Sequence, residues 1–212
     1  MCEIAIMNPS KVSAYEVTEA AKTLYESQRS SLGVVAVYND GEEYSYQVYK
    51  AVVPDYDALD NFIEERMDCY RFFLHGRLAT HGDVTVENAH PIKITDDNVE
   101  IEYLFHNGII SFHESQKEEH IACGHEYNTD VDSEVIAHNF GEVPDNIEDA
   151  ISANEHARQS AFVLFGKERI LIYTNGRYQL RRHVEMAHTH RPFGPSRGIG
   201  DQINYLIVSA HA

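Results

Sequence analysis

Cys2 directly follows the initiator Met1, and this position gives the residue a distinctive chemistry. Methionine is readily removed before a small residue such as cysteine, so we expect a mature chain that begins with Cys2. Such a residue carries a thiol and a primary amine on adjacent carbon atoms. Because the α-amine has an ordinary pKa of about 7.7–8.0 and a free thiol one of about 8.5, neutral amine is present near neutral pH and can accept the thiol proton. Cys2 is therefore a candidate nucleophile that needs no separate histidine base.

Further polar motifs follow in the first two thirds of the chain. Residues 75–82 read His-Gly-Arg-Leu-Ala-Thr-His-Gly, and residues 88–91 read Asn-Ala-His-Pro. Residues 105–110 read Phe-His-Asn-Gly-Ile-Ile, and residues 132–138 read Asp-Ser-Glu-Val-Ile-Ala-His. Together with an N-terminal Met-Cys, in this order and approximate spacing, these motifs resemble the class II glutamine amidotransferase domain, a glutaminase of the N-terminal nucleophile type.

The resemblance implies a catalytic role for three residues. Cys2 would attack the side-chain amide carbon of L-glutamine and form a γ-glutamyl thioester, while its α-amine acts as base and then gives a proton to the departing ammonia. Asn107, through its side-chain amide, and Gly108, through its backbone N–H, would form the oxyanion hole. Two such donors on one tight turn can converge where negative charge develops. Glycine also permits the backbone conformation and the close approach that this arrangement needs.

The same resemblance implies how the substrate's amino-acid end would be bound. Arg77 would pair with the α-carboxylate in fork geometry, for which lysine is poorly suited. Asp132 would bind the α-ammonium group. Thr80 and His81 would line the same end of the pocket, and Gly108 would also contact the substrate.

Each of these residues also has a simpler interpretation. Arg77 could form a surface salt bridge, which contributes little to stability. Asn107-Gly108 is a common hairpin-turn sequence. Asp132 could cap a helix predicted over residues 133–140.

The sequence departs from the family pattern at three places. Cys2 is followed by Glu3-Ile4, whereas many family members have Gly-Ile there. Leu78 stands where the family often has an aromatic residue. Residues 29–33 only loosely resemble a family loop that helps to cover the nucleophile. Some smaller relatives also carry an acidic residue after the cysteine, and the departures at Leu78 and in residues 29–33 concern affinity and loop closure more than the chemistry.

The elements that must position these residues are strands in pairs, separated by pairs of helices. Strands are expected over residues 2–7, 33–38, 44–48, 70–74, 100–105, 161–165, 169–174 and 203–209. Helices are expected after a Ser13–Glu16 capping box, after a cap at Asp55 or Asp57, and over residues 114–122, 133–140 and 147–156. This order favours an α+β fold of antiparallel sheets covered by helices. The resemblance implies a four-layer αββα sandwich of the N-terminal nucleophile hydrolase type.

The domain organisation is predicted to be simple. Residues 1–212 are expected to form a single domain, with the catalytic motifs in residues 2–140 and a tail of uncertain role in residues 183–212. Family enzymes usually join the glutaminase to a synthase domain that consumes the ammonia. The sequence holds no such domain, no P-loop and no dinucleotide-binding glycine pattern. We therefore expect a stand-alone glutaminase, no cofactor, and a separate ammonia-accepting synthase or synthetase as partner.

Composition narrows the classes of partner. The formal net charge of −17 argues against nucleic acid and membrane surfaces. Without a secretory signal or a long apolar run, the chain is expected to be cytoplasmic, and a homo-oligomer is left open.

Three cysteines without a CxxC pair argue against a disulfide framework. No metal is expected among the 13 histidines, because no single segment supplies three or four ligands.

Two other functions stay open at the level of sequence. The same nucleophile could act on another γ-glutamyl amide or a small amide, since Arg77 and Asp132 would read only the amino-acid end. Alternatively, the chain could bind glutamine without turnover, as a non-catalytic module.

Overall fold

Apolar residues in the strands alternate between the two faces of two antiparallel sheets. The computed structural model describes residues 2–146, 157–174, 179–182, 186–190 and 204–209. The helix predicted over residues 147–156 and most of residues 183–212 lie outside the described residues.

The eight expected strands, and the expected helices that fall on described residues, have bounds close to the sequence predictions, and the structure adds β5, β9 and β10. The strands are β1 (Glu3–Met7), β2 (Ser31–Asn39), β3 (Tyr44–Ala51), β4 (Arg71–Arg77), β5 (Ile92–Lys93), β6 (Ile101–Asn107), β7 (Ala161–Gly166), β8 (Arg169–Thr174), β9 (Gln179–Arg182), β10 (Met186–His190) and β11 (Asn204–Ser209). The helices are α1 (Ala14–Gln28), α2 (Tyr56–Glu64), α3 (His113–Ala122) and α4 (Glu134–Phe140), with a 3-10 turn at Ala157–Gln159.

Helix starts confirm the predicted caps. The Ser13 hydroxyl accepts from the backbone N–H of Glu16, and the Glu16 carboxylate accepts from the backbone N–H of Ser13, which completes a capping box. Asp55, not Asp57, caps α2, since its carboxylate accepts from two N–H groups of the first turn. In the part of the chain that the structure describes, no helix has the length and apolar character needed to cross a bilayer. The expected cytoplasmic location stays a prediction.

The strand order places the N-terminus at the centre of a sheet. The first sheet has the order β3-β2-β4-β1-β10-β9, and the second has the order β11-β8-β7-β6-β5. β1 lies between β4 and β10, and Glu3 pairs with Gly76 across the antiparallel ladder. Cys2 therefore leaves the sheet beside Arg77, the last residue of β4.

Three apolar clusters define four layers, which confirms the predicted αββα sandwich. The inner faces of the two sheets meet through residues that include Ile4, Val35, Phe73, Phe105 and Phe165. α1 and α2 cover the outer face of the first sheet. α4 covers the outer face of the second sheet, where Val135, Ile136 and Ala137 pack against β6, β7 and β8. Burial of these apolar side chains is the main stabilising contribution to such a fold.

Candidate active site

Cys2 is half-buried and lies directly before β1. Its thiol donates to the carbonyl of Leu78, with 3.7 Å between Sγ and O. Burial raises the pKa of the Cys2 thiol, and the positive charge of Arg77 acts in the opposite direction. Since burial dominates, the thiol is the resting form and a base must remove its proton before attack.

A small cleft gathers residues from five separate segments. It is lined by Cys2, Arg77, Leu78, Thr80, His81, His90, His106, Gly108, Val131, Asp132 and Ser133. Six of the seven predicted site residues are among them. The seventh, Asn107, is fully buried at the end of β6, directly before Gly108.

Arg77 is buried, so the alternative of a surface salt bridge is wrong. Its guanidinium donates to three backbone carbonyls of the loop after β4: to His81 at 2.7 Å, Asp83 at 3.1 Å and Gly82 at 3.5 Å. Among the residues that the structure describes, Arg77 forms no ion pair. A buried cation that bonds only to neutral carbonyls is well suited to an anionic ligand.

Asp132 is also buried, and its carboxylate bonds away from α4. Oδ2 accepts from the backbone N–H of Ile110 at 2.7 Å, and Oδ1 is 3.5 Å from the Ser133 hydroxyl. The cap position of α4 is Ser133, and α4 has no side-chain cap. The alternative of Asp132 as a helix cap is therefore wrong. His81 Nδ1 lies 3.9 Å from Oδ2.

Asn107 and Gly108 do not form a hairpin turn, because the strands that pair with β6 are β5 and β7 and the next element in the chain is α3. The Asn107 side-chain amide is buried, and neither its nitrogen nor its oxygen has a hydrogen-bond partner among the described residues. A Cβ on Gly108 would lie 2.5 Å from Ser160 Cβ and 2.8 Å from His106 Nε2. Gly108 is thus required for close approach, and its φ is not positive.

Three buried histidines lie at the cleft: His90 and His106 line it, and His75 stacks on His90. His75 and His90 are stacked, with 4.3 Å between ring centroids, and His75 Nε2 is 2.9 Å from the carbonyl of His106. Burial lowers the pKa of His75 to about 3 and that of His106 to about 4, and it holds the pKa of His90 well below its usual range. All three rings are therefore neutral near pH 7.

His106 links this group to the predicted substrate residue. Its Nδ1 and the Ser133 hydroxyl are hydrogen-bonded at 2.7 Å, and that hydroxyl donates onward to Asp132. A neutral His106 with its proton on Nδ1 satisfies both bonds. The chain His106–Ser133–Asp132 orients the carboxylate toward the cleft.

Comparison with known proteins identifies the domain. The sequence is 30% identical to the glutamine–fructose-6-phosphate aminotransferase [isomerizing] of Sulfurisphaera tokodaii over 203 residues, which are 96% of this chain and 32% of that protein. It is 29% identical to the enzyme of the same name from Sulfolobus acidocaldarius over 193 residues, 91% of this chain and 30% of that protein. The chain carries a class II glutamine amidotransferase domain. It spans less than a third of the length of these curated relatives, and no protein-family model matches the sequence.

Solved structures support the fold of this amidotransferase domain. Glutamine phosphoribosylpyrophosphate amidotransferase from B. subtilis superposes with a TM-score of 0.57 at 17% identity, over 89% of this chain and 41% of that one. A structure described as the allosteric regulatory enzyme of purine biosynthesis gives a TM-score of 0.55, also at 17% identity, with the same coverage. At this level of identity the likeness concerns the fold alone.

The sequence prediction for the amidotransferase domain missed several cleft residues. His90 and His106 lay within the motifs but received no role, and Ser133 was considered only as a helix start. The motifs Asn-Ala-His-Pro around His90 and Phe-His-Asn-Gly around His106 were the sequence features that could have indicated a place in the cleft. Ser30 was also missed as a contact: its hydroxyl accepts from the backbone N–H of Ala79 at 3.0 Å.

Residues 29–33 differ from the loop expected in the amidotransferase domain. Arg29 ends α1 in a left-handed conformation, and residues 31–33 already belong to β2. Only Arg29 and Ser30 connect the two elements. Because Ser30 holds Ala79, which adjoins Leu78, this connection fixes the backbone that contacts the Cys2 thiol.

Proposed function

We propose that this domain hydrolyses L-glutamine to L-glutamate and ammonia through a γ-glutamyl thioester on Cys2. The observation that carries the proposal is the cleft that brings Cys2 together with Arg77, Gly108 and Asp132. In a domain of this family, that set supplies a nucleophile, an oxyanion donor and two charges of opposite sign. Glutamine presents a carboxamide, a carboxylate and an ammonium group to match them.

Cys2 alone would serve as nucleophile, through its thiol, and as base, through its α-amine. After removal of Met1, the neutral α-amine of Cys2 takes the thiol proton, and the sulfur attacks the amide carbon of the substrate. Collapse of the tetrahedral intermediate breaks the C–N bond, and the α-ammonium gives its proton to the departing ammonia. A water molecule, deprotonated by the same amine, then attacks the thioester. Breaking of the C–S bond releases glutamate and restores the thiol.

The oxyanion would be stabilised by Asn107 and Gly108. The Asn107 amide is buried without a partner, and an unpaired buried amide costs about 1–3 kcal/mol. A negatively charged oxygen in the cleft would provide the missing acceptor, and the gain would be greatest in the transition state. The neighbouring backbone N–H of Gly108 would be the second donor.

The substrate's amino-acid end would be bound by Arg77 and Asp132. Arg77 is a buried cation bonded only to neutral carbonyls, and Asp132 is a buried carboxylate that lines the same cleft. Burying these two opposite charges in one cleft costs less free energy than burying either charge alone. A bound zwitterion would place an opposite charge beside each of them. Thr80 and His81 would complete this end of the pocket.

The direct test is release of glutamate from glutamine by the purified protein. We expect turnover by the wild type and by Cys123→Ser, which alters an exposed thiol. Cys2→Ser should lose at least about 10³-fold in rate, because a hydroxyl is a much weaker nucleophile at neutral pH. A glutamine-like diazoketone should label Cys2, and the intact mass should lack Met1. Glutamine binding without turnover or labelling would instead favour a non-catalytic module.

A related amidase activity is the second candidate. Arg77 and Asp132 would recognise the amino-acid end, whereas no residue in the proposal contacts a substituent on the amide nitrogen. A panel of γ-glutamyl amides and small amides, compared by kcat/KM, separates the two. If an N-substituted γ-glutamyl amide is turned over faster than glutamine, that amide and not glutamine is the preferred substrate.

We further propose that a separate synthase or synthetase in the cytoplasm consumes the ammonia. None of the cleft-lining residues belongs to a P-loop or to a dinucleotide-binding glycine motif, so acceptor chemistry that uses such cofactors would lie elsewhere. An immunoblot of fractionated source cells should show a cytoplasmic band near 24.1 kDa that co-purifies with such an enzyme. A much larger polypeptide would show that the acceptor domain is fused to this one.

A further inference from the structure

A second group of polar side chains, distinct from the cleft, joins three segments of the chain. Asp96 lies in the connection between β5 and β6, His125 lies just after α3, and His138 lies in the last turn of α4. Asp96 and His138 are buried, and His125 is partly exposed. The sequence argument against a metal considered single segments, whereas these three residues converge only in the folded chain.

The three potential ligand atoms form a compact triangle. His125 Nδ1 is 2.6 Å from Asp96 Oδ2, His138 Nδ1 is 3.3 Å from the same oxygen, and the two Nδ1 atoms are 3.4 Å apart. In a tetrahedral zinc site with bonds of about 2.0–2.1 Å, neighbouring ligand atoms are about 3.3–3.4 Å apart. Two of the three separations already match this spacing. The third requires the His125 ring, which has solvent on one side, to move by less than 1 Å, roughly the shortfall from that spacing.

The polar contacts of this group are concentrated on one carboxylate oxygen. Both Nδ1 atoms lie near Asp96 Oδ2, which also accepts from the backbone N–H of Glu126 at 3.3 Å, and the two nitrogens are 3.4 Å apart. The His138 ring is fully buried, and its Nε2 has no hydrogen bond among the described residues. A cation in the triangle would use all three lone pairs at once.

The surroundings resemble the outer shell of a metal site. Glu134 Oε1 lies 3.7 Å from His138 Nε2, where a carboxylate can orient a metal-bound imidazole. The other carboxylate oxygen of Asp96 accepts from the backbone N–H and the side-chain amide of Asn98 at 2.9 Å each. These bonds hold Oδ2 toward the two rings.

We propose that Asp96 Oδ2, His125 Nδ1 and His138 Nδ1 bind a Zn²⁺ ion, with water as the fourth ligand on the exposed side of His125. Two imidazoles and one carboxylate favour zinc and related transition metals over Mg²⁺ and Ca²⁺, which take oxygen ligands. The ion would tie the β5–β6 connection and the segment after α3 to α4. Because Asp132 and Ser133 directly precede α4, the ion would also steady one wall of the cleft.

The test uses the full chain, freed of metal by a chelator, with Cys2→Ser as background so that the cleft thiol cannot bind the ion. We expect one Zn²⁺ per chain after equilibrium dialysis, measured by elemental analysis, and a higher thermal unfolding midpoint with Zn²⁺ than without it. Co²⁺ in place of Zn²⁺ should give the visible absorption of a four- or five-coordinate ion. Mg²⁺ should give no shift of the midpoint.

Matched variants locate the ion. Asp97→Asn, which alters the exposed neighbouring carboxylate, should bind Zn²⁺ as the parent does. Asp96→Asn and His125→Gln should each weaken binding by at least about tenfold and abolish the Co²⁺ spectrum; His125→Gln also covers the case in which Asp96→Asn does not fold. Absence of stoichiometric binding by folded parent protein, or unchanged binding by folded His125→Gln, would overturn the proposal.

Discussion

The carboxylate of Asp132 accepts a hydrogen bond from the backbone N–H of Ile110, with 2.7 Å between Oδ2 and N. This bond joins Asp132, two residues before α4, to the segment that follows β6. The proposed oxyanion donor Gly108 lies two residues before Ile110. The residue proposed to bind the substrate's ammonium group therefore also fixes the backbone that would face the developing negative charge.

Asp132→Asn should separate binding of the ammonium group from the hydrogen bond to Ile110. The asparagine amide retains an oxygen that can accept from Ile110, but the substitution removes the negative charge. Loss of one charge-assisted interaction of about 1.5–3 kcal/mol should raise KM for glutamine by roughly 10- to 100-fold, with a smaller change in kcat. Steady-state kinetics of glutamate release would measure both constants.

The matched control is Asp130→Asn, because Asp130 is exposed and adjoins the same loop. It should leave KM within about twofold of the wild type, since exposed charges contribute little. Equal kinetic defects in the two variants would show that Asp132 does not bind the ammonium group.

Asn107→Ala should affect the chemical step. Because the amide is buried without a partner, it is free to donate to an oxyanion, and loss of one such donor typically lowers kcat by about 10²–10³-fold. KM should change little. Asn139→Ala removes an exposed amide that bonds to Gln116 and should keep the wild-type kcat. A higher KM with unchanged kcat in Asn107→Ala would place the amide at the ground-state substrate instead.

Much of the fold was predictable because its signals are local. The Ser13–Glu16 capping box and the Asp55 cap are short-range hydrogen bonds, and the structure confirms both. The turn sequence Asn-Asp-Gly at residues 39–41, between two runs of β-branched and alternating residues, is typical of a hairpin, and β2 and β3 form one. The layered class followed from the order of these elements, and the number of layers from the family resemblance.

The contacts between motifs could not be predicted in the same way, because they depend on register and strand order. Nothing in the sequence places β1 between β4 and β10, yet that placement brings Cys2 beside Arg77. The simpler roles considered for Arg77 and Asp132 were wrong because Arg77 is buried and bonds to carbonyls of the loop that follows β4, and Asp132 accepts from Ile110 in the segment after β6. Asp96, His125 and His138 likewise lie in three separate segments, which come together only in the folded chain.

Gly33 should be intolerant of a side chain. A Cβ there would lie 1.7 Å from the carbonyl oxygen of His90 and 2.7 Å from its carbonyl carbon, both backbone atoms that cannot rotate away. Gly33→Ala should therefore lower the free energy of unfolding by at least about 3 kcal/mol. Gly166→Ala is the comparison, because its Cβ would meet a side-chain methyl group of Val143 at 2.9 Å and a backbone atom, the carbonyl oxygen of Arg169, only at 3.3 Å. Urea unfolding of both variants compares their losses in the free energy of unfolding. A loss for Gly33→Ala that is equal to or smaller than that for Gly166→Ala would contradict the prediction.

His75 should make the protein less stable in mild acid. Its pKa is lowered to about 3 by burial, whereas the unfolded chain binds this proton near pH 6.5. Between these values the unfolded state binds more protons, so the free energy of unfolding falls as pH decreases, by at most about 1.4 kcal/mol per pH unit for this ring. His75→Gln keeps a donor for the His106 carbonyl and removes the titration. Urea unfolding from pH 7.5 to 5.0 should give a shallower pH slope for the variant than for the wild type, and parallel slopes would show that the His75 ring is not held neutral.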